Sequence, residues 1–137
     1  MSNELFVKLL AVVESDRKYA LGAYEFVFEG LEHTLRSIGE RRHISGQELC
    51  AGLRRLALQR FGMLGKMVFR QWGVTRTADF GEIVFRLVEA GLMGKTEADS
   101  LADFQDGFDF EEVFTRGALE MPLYARPSVE AGSRREG

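Results

Sequence analysis

Phe61 to Phe114, FGMLGKMVFRQWGVTRTADFGEIVFRLVEAGLMGKTEADSLADFQDGFDFEEVF, is the stretch whose reading decides the fold. Inside it, Phe80, Ile83, Val84, Leu87 and Val88 recur three and four residues apart, which puts them on one face of an α-helix. Thr77 reads as the N-cap of that helix, with Asp79 in the first turn near the positive end of the helix dipole. Gly91 followed by Leu92 reads as a Schellman end in which Leu92 folds back on Leu87. Upstream, Leu64, Met67, Val68 and Trp72 keep helical spacing and predict a shorter helix that Gly73 stops. Downstream, Leu92 to Thr96 and Leu101 to Phe104 predict a short two-stranded ribbon around the polar turn Glu97-Ala98-Asp99-Ser100. Asp109, with Glu112 three residues on, caps a last short helix through Val113 and Phe114.

Toward the N-terminus the same reasoning continues. Ser45-x-x-Glu48 is a capping box, and Ile44 before it can staple onto Leu49. The helix it starts presents Leu49, Leu53, Leu56 and Ala57 inward and Arg54, Arg55 and Gln59 outward. Before it, Tyr24, Val27, Phe28, Leu31, Leu35 and Ile38 predict a helix from about Ala20 to Ile38, with Gly39 as its C′ residue. Asn3 caps a first helix carrying Leu5, Phe6, Leu9, Leu10 and Val13 on one face and ending near Glu14-Ser15-Asp16. The expected fold is mainly α: a compact bundle of about five to six helices with a small β-ribbon and a winged-helix-like order in the C-terminal half. One domain is expected over 1–116. The tail 117–137 holds both prolines and ends in SRREG, so little order is expected there. Leu49, Leu53, Met67, Trp72, Phe80, Ile83, Val84, Leu87 and Phe104 are the predicted core.

A chain of 137 residues, 45 % hydrophobic and 28 % charged, can bury a single core without disulfides or metals. Cys50 is the only cysteine, so no intramolecular disulfide forms, which suits a reducing compartment. The start MSNELFVKLLAVVESD lacks the basic region and cleavage site of a signal peptide, and no apolar run reaches membrane-spanning length. A cytoplasmic protein without membrane contact is the expectation. Charge is uneven along the chain: residues 36–76 hold nine basic and two acidic side chains, and 77–113 hold two basic and ten acidic. These blocks could neutralise each other through surface ion pairs, each worth little, or form two opposed surfaces. The basic one would comprise Arg54, Arg55, Arg60, Lys66, Arg70 and Arg76, and the acidic one Asp99, Asp103, Asp106, Asp109, Glu111 and Glu112.

The strings HISGQEL, FGMLGKMVFRQWGVTRTADFGEIVFRLVEAGLMGKTEADS and DFQDGFDFEEVF, above all Trp72-Gly73, Thr77-x-Asp79-Phe80-Gly81, Gly91-Leu92-Met93 and Asp103-Phe104, carry a resemblance. Over about Leu5 to Phe114 the chain resembles a family of small uncharacterised bacterial proteins typical of the planctomycete and verrucomicrobial group. The resemblance implies a class and no site residues.

No motif in the chain assembles a catalytic set. Gly94-Lys95-Thr96 has the ending of a phosphate-binding loop, but Glu89 stands where that loop needs its first glycine, and the preceding element is a helix instead of a strand. With Gly107 as the sixth residue of a calcium loop, positions 1, 3 and 12 become Ala102, Phe104 and Val113, which offer no oxygen ligands. His33, His43 and Cys50 are too few and too scattered for structural zinc. Cys50 in the first turn of a helix would be reactive only if exposed. No cofactor is expected. The order of helices in the C-terminal half suits a winged helix-turn-helix, yet its reading helix would carry Asp79, Glu82 and Glu89 against a single Arg86, whereas phosphates want cations. The favoured expectation is a non-catalytic module that binds an unidentified protein. RNA or DNA binding through the basic helices, and an enzyme with an unrecognised site, stay open as alternatives.

Overall fold

The computed structural model describes residues 3–40, 42–94, 101–105, 107–117 and 119, and the fold is mainly helical. Its helices are α1 (Asn3–Asp16), α2 (Leu21–Ile38), α3 (Gly46–Phe61), α4 (Gly65–Gln71) and α5 (Thr77–Glu89). A 3₁₀ turn at Gly62–Leu64 joins α3 to α4, and a second spans Leu101–Phe104. One helical turn at Phe110–Glu112 runs on into a π-helical turn at Val113–Gly117.

The expected boundary chemistry operates at several helix ends. Glu48 N–H donates to Ser45 Oγ (3.0 Å) and Ser45 N–H donates to Glu48 Oε1 (2.9 Å), a complete capping box. Ile44 and Leu49 flank it, both buried. The Arg42 guanidinium beside Glu48, aided by the Ser45 N–H, pulls the Glu48 carboxyl down to about 2. Gly39 closes α2 in the left-handed conformation. The ends of α4 and α5 are the same motif. Val74 N–H reaches Phe69 O (2.8 Å) and Gly73 N–H reaches Arg70 O (3.0 Å); Leu92 N–H reaches Leu87 O (2.9 Å) and Gly91 N–H reaches Val88 O (3.0 Å). Gly73 needs its glycine twice over, because its φ is +87° and a Cβ there would lie 2.4 Å from the Lys18 carbonyl oxygen. Asp109 Oδ1 accepts from Glu112 N–H (3.0 Å) and caps the last turn.

The core lies where α2 packs on α3 on one side and on α5 on another. Phe69 of α4 is at its centre, with the rings of Phe26, Trp72, Phe80, Phe110 and Phe114 at centroid distances of 5.1–5.8 Å. Such tilted and edge-on pairs add to the gain from burial alone. Leu49, Leu53, Phe80, Ile83, Val84, Leu87 and Phe104 are all buried as expected, and Trp72 packs half-buried against them.

Four expectations are corrected. Leu101–Phe104 is a 3₁₀ turn and not a strand. Phe104 enters the core against Gly81, where a Cβ would come within 2.9 Å of it. The Phe104 carbonyl accepts from Thr77 Oγ1 (2.6 Å), so this backbone is bonded to a side chain and not to a partner strand. Among the described residues there is no strand, and winged-helix order is without its wing; Lys95 and Thr96 and the turn 97–100 fall outside those residues. Thr77 does not cap α5. Its backbone is already helical and its hydroxyl is occupied, donating to Phe104 O and accepting from Gly107 N–H (3.0 Å). The start of α5 is instead held by Asp79, whose carboxylate accepts from Thr75 N–H (2.9 Å) and Arg76 N–H (3.3 Å).

Met67 is 59 % exposed and leaves the predicted core. The segment packs through Phe61, Gly62, Gly65 and Phe69, because Gly65 admits the Phe114 ring where a Cβ would be 2.3 Å from it. That choice rotates Leu64 and Met67 outward. On α1 only Leu9 is fully buried, while Phe6 and Leu10 lie on an exposed flank. Apart from Gly117 and Leu119, the tail 117–137 lies outside the described residues.

Candidate functional site

The side chains with most chemical potential are tied into the fold. Cys50, just past the first turn of α3, lies under Gly107, and burial, with the Asp103 carboxylate adding to it, pushes its thiol up to about 12. A thiol held protonated near neutral pH is a poor nucleophile. His43 is on the loop before α3 and His33 is on α2, and the two do not form a metal-holding group with Cys50. Among the described residues, no group of three or more His, Cys, Asp or Glu side chains could hold a metal ion, and no helix is long and apolar enough to cross a membrane.

One polar cluster went unnoticed in the sequence. Tyr19, buried in the α1–α2 loop, has its hydroxyl 2.6 Å from Asp79 Oδ1 and 3.1 Å from Glu82 Oε1. Its single proton serves the nearer carboxylate. Burial first, then the Asp79 bond and the charges of both carboxylates, raise the phenol above its ordinary range. Burial would raise Glu82 as well, but the bonds from Lys18 and Arg86 outweigh it and hold the carboxyl below its usual value. Lys18 and Arg86 also lie against the Tyr19 ring. The cluster fastens the loop onto α5. Sequence spacing could not show it, since its partners are about sixty residues apart along the chain.

Members of the expected basic and acidic sets meet in an ion pair. Lys66 Nζ bonds Glu111 (2.6 Å), joining one member of each set. Arg60 pairs with Glu29 on α2 (2.6 Å). Arg54 and Asp103 line one depression of about 430 Å³ together with Cys50, Gly107 and Phe108. Asp109 is spent as a cap, Glu112 is exposed beside it, and Asp99 and Asp106 lie outside the described residues. Arg70 and Arg76 are exposed. Arg55 finds different company: it lies near His33, whose pKa is lowered first by burial and then by the charges of Arg55 and Arg36. Arg36 was not among the residues the sequence singled out.

Among the described residues, two apolar surface features stand out. Between α1 and α5 runs a groove of about 730 Å³ whose walls include Ala11, Val12, Phe85 and Ala90. Across the α3–α4 junction, Met63, Leu64 and Met67 are 57 %, 56 % and 59 % exposed. Arg60, Lys66 and Arg70 flank them in sequence at helical spacing. Sequence periodicity had assigned Leu64 and Met67 to the interior; Gly62 and Gly65, spaced with Phe61 and Phe69, were the signal for the opposite face.

No protein-family model matches this chain, and neither a curated protein nor a solved structure is detectably similar to it.

Proposed function

We propose that this chain is a cytoplasmic, non-catalytic domain that docks another protein. The observation that carries the reading is the division of labour among its side chains. Cys50, Tyr19, Asp79, Glu82 and Thr77 are engaged within the fold, while large apolar side chains are displayed on the outside. Exposed Met and Leu in one patch, with charges of both signs around it, is the composition of a protein-docking surface.

A second reading has its own observation. Exposed Arg54 and Arg55 on α3 and exposed Arg36 on α2, the last two close enough to His33 for their charges to act on it, form a group of cations that favours RNA or DNA on the outer α2–α3 face. Gel-shift titration with mixed RNA and DNA at physiological salt separates the two. The protein-docking reading expects no appreciable retention. Sub-micromolar binding that is abolished when Arg54, Arg55 and Arg60 are changed to Glu would replace it with the second reading.

A further inference from the structure

We infer that the exposed face of the α3–α4 junction, Met63, Leu64 and Met67 rimmed by Arg60, Lys66 and Arg70, is a docking site for an acidic amphipathic helix of another protein. The inference rests on the protein-docking reading and names the surface and the chemistry of the partner.

The exposure of this face is imposed by the core. The opposite face of the same segment carries Phe61, Gly62, Gly65 and Phe69. Phe69 is fully buried among six rings, and Phe114 packs onto Gly65 too closely for any side chain there. The C-terminal end of α4 is fastened by the Gly73 turn, and Trp72 O accepts from Ala20 N–H (3.0 Å). Rolling α4 to hide Met67 would withdraw Phe69, so the three apolar side chains stay at the surface.

Their arrangement matches how a helix is received. Residues 63, 64 and 67 are one and four positions apart, so the side chains form one short ridge, against which a partner helix can set its own i, i+3, i+4 anchors. Methionine and leucine are unbranched at Cβ, and methionine in particular adapts to the shape it meets. Charge then selects the partner. From Leu49 to Ala78 the chain contains no Asp or Glu, yet it carries Arg54, Arg55, Arg60, Lys66, Arg70 and Arg76. Carboxylates reach the rim only from elsewhere, Glu29 to Arg60 and Glu111 to Lys66. These pairs are exposed and weak, so carboxylates on a partner can compete for the same cations, and Arg70 adds another at the surface. An apolar centre with a basic rim complements a helix that is leucine-rich on one side and acidic at its flanks. A nucleic acid would leave the apolar centre unused, since no aromatic ring is exposed there for a base to stack on. A bilayer surface would need a longer apolar face than α4, which has seven residues.

The test uses the full chain with ¹³C-labelled methionine methyls. Met63 and Met67 report on the site, and Met93, which is buried, serves as the internal control. The probes are two synthetic helical peptides of about five turns sharing one leucine stripe, one with glutamates on the remaining positions and one with lysines. The expected result is that the glutamate peptide shifts Met63 and Met67 but not Met93. It should bind at least about 10-fold more tightly than the lysine peptide and weaken as salt is raised. The double variant Met63→Ser, Met67→Ser should lose about 10-fold or more in affinity with its melting temperature held, since both side chains are exposed. Arg60→Glu with Arg70→Glu should reverse the preference between the peptides.

Equal affinity for the two peptides, affinity unchanged in the methionine variant, or no methyl shift at millimolar peptide would each overturn the inference. So would RNA or phosphatidylserine vesicles moving these methyls where the glutamate peptide does not. If the glutamate peptide binds but perturbs only the α1–α5 groove, this site falls and the protein-docking reading stands. If neither peptide binds and RNA does, both fall.

Discussion

Helices α5 and α1 both carry an apolar stripe, the sharper one in α5, and the fold uses them in opposite ways. In α5, Phe80, Ile83, Val84 and Leu87 are all fully buried, and the helix lies against α2 and the Leu101–Phe104 turn. In α1, Leu9 alone is fully buried; Val7 is 64 % exposed, Phe6 and Leu10 are more than a third exposed, and a groove separates the helix from part of α5. An apolar stripe shows which face of a helix can be buried. How much of it is buried depends on the number of elements that reach it, and α1 lies at the edge of the bundle with α2 as its main neighbour.

The sharpest way to break this contrast is truncation. Phe80→Ala should cost about 3–5 kcal/mol, because it empties a site among Phe26, Phe69 and Phe110. Val7→Ala should stay within about 0.5 kcal/mol. Urea melts of both variants decide it, and similar losses would mean that α1 is as deeply seated as α5.

Buried polar chemistry should divide the helices again, with smaller numbers. Thr77→Val strands the Phe104 carbonyl and the Gly107 N–H, for a loss of about 1–3 kcal/mol. Ser15→Ala removes only an exposed bond from Ser15 Oγ to Val12 O (2.7 Å) and should stay within about 0.5 kcal/mol. A harmless Thr77→Val would show that the loop after Phe104 is not held through that hydroxyl. Gly81→Ala sharpens the point, since alanine gains about 1 kcal/mol of helix propensity but must displace Phe104. Net destabilisation of the order of 1 kcal/mol is expected from overpacking.

The smallest effect lies where the two regions meet. Tyr19 has a raised phenol pKa in the folded state, so its contribution is fully present below the unfolded value of about 10 and is lost as pH rises toward the folded one. Stability should fall more steeply above pH ~10 in the native chain than in Tyr19→Phe, as read by urea midpoints across that range. The capping box offers the mirror case at acid pH. The folded pKa of Glu48 is depressed to about 2, so its contribution is present above the unfolded value of about 4.3 and lost as pH falls through 2. Glu48→Gln should flatten that acid limb.

The residues that made the fold legible are those whose role is local. Ser45 with Glu48, Gly39, Gly73, Gly91 and Asp109 act within a few residues of themselves, so their turns and caps follow from the sequence. The core residues of α3 and α5 followed from periodicity for the same reason. Thr77 was misread because a threonine before a helix suits a cap, and only the approach of Phe104 and Gly107 showed where its hydroxyl is used. Met67 was misread because the stripe 64, 67, 68 and 72 competes with 61, 65, 69 and 72 over the same helix. Of the residues set aside as interaction surfaces, the sequence could nominate charges but not pair them: Lys66 with Glu111 and Arg60 with Glu29 are contacts across the fold.

By itself, then, the sequence determined that the chain is helical, where most of its helices begin and end, and which face of α5 is buried, because hydrogen bonding at helix ends and a period of 3.6 residues act at short range. Tertiary structure alone decided which side of α4 faces inward, that Leu101–Phe104 is a turn held by Thr77, that Tyr19 fastens its loop to α5, and that Met63, Leu64 and Met67 stand outside. Each of these depends on groups brought together from distant parts of the chain, where the space beside a glycine or the position of one hydroxyl settles which of two similar arrangements packs without a clash.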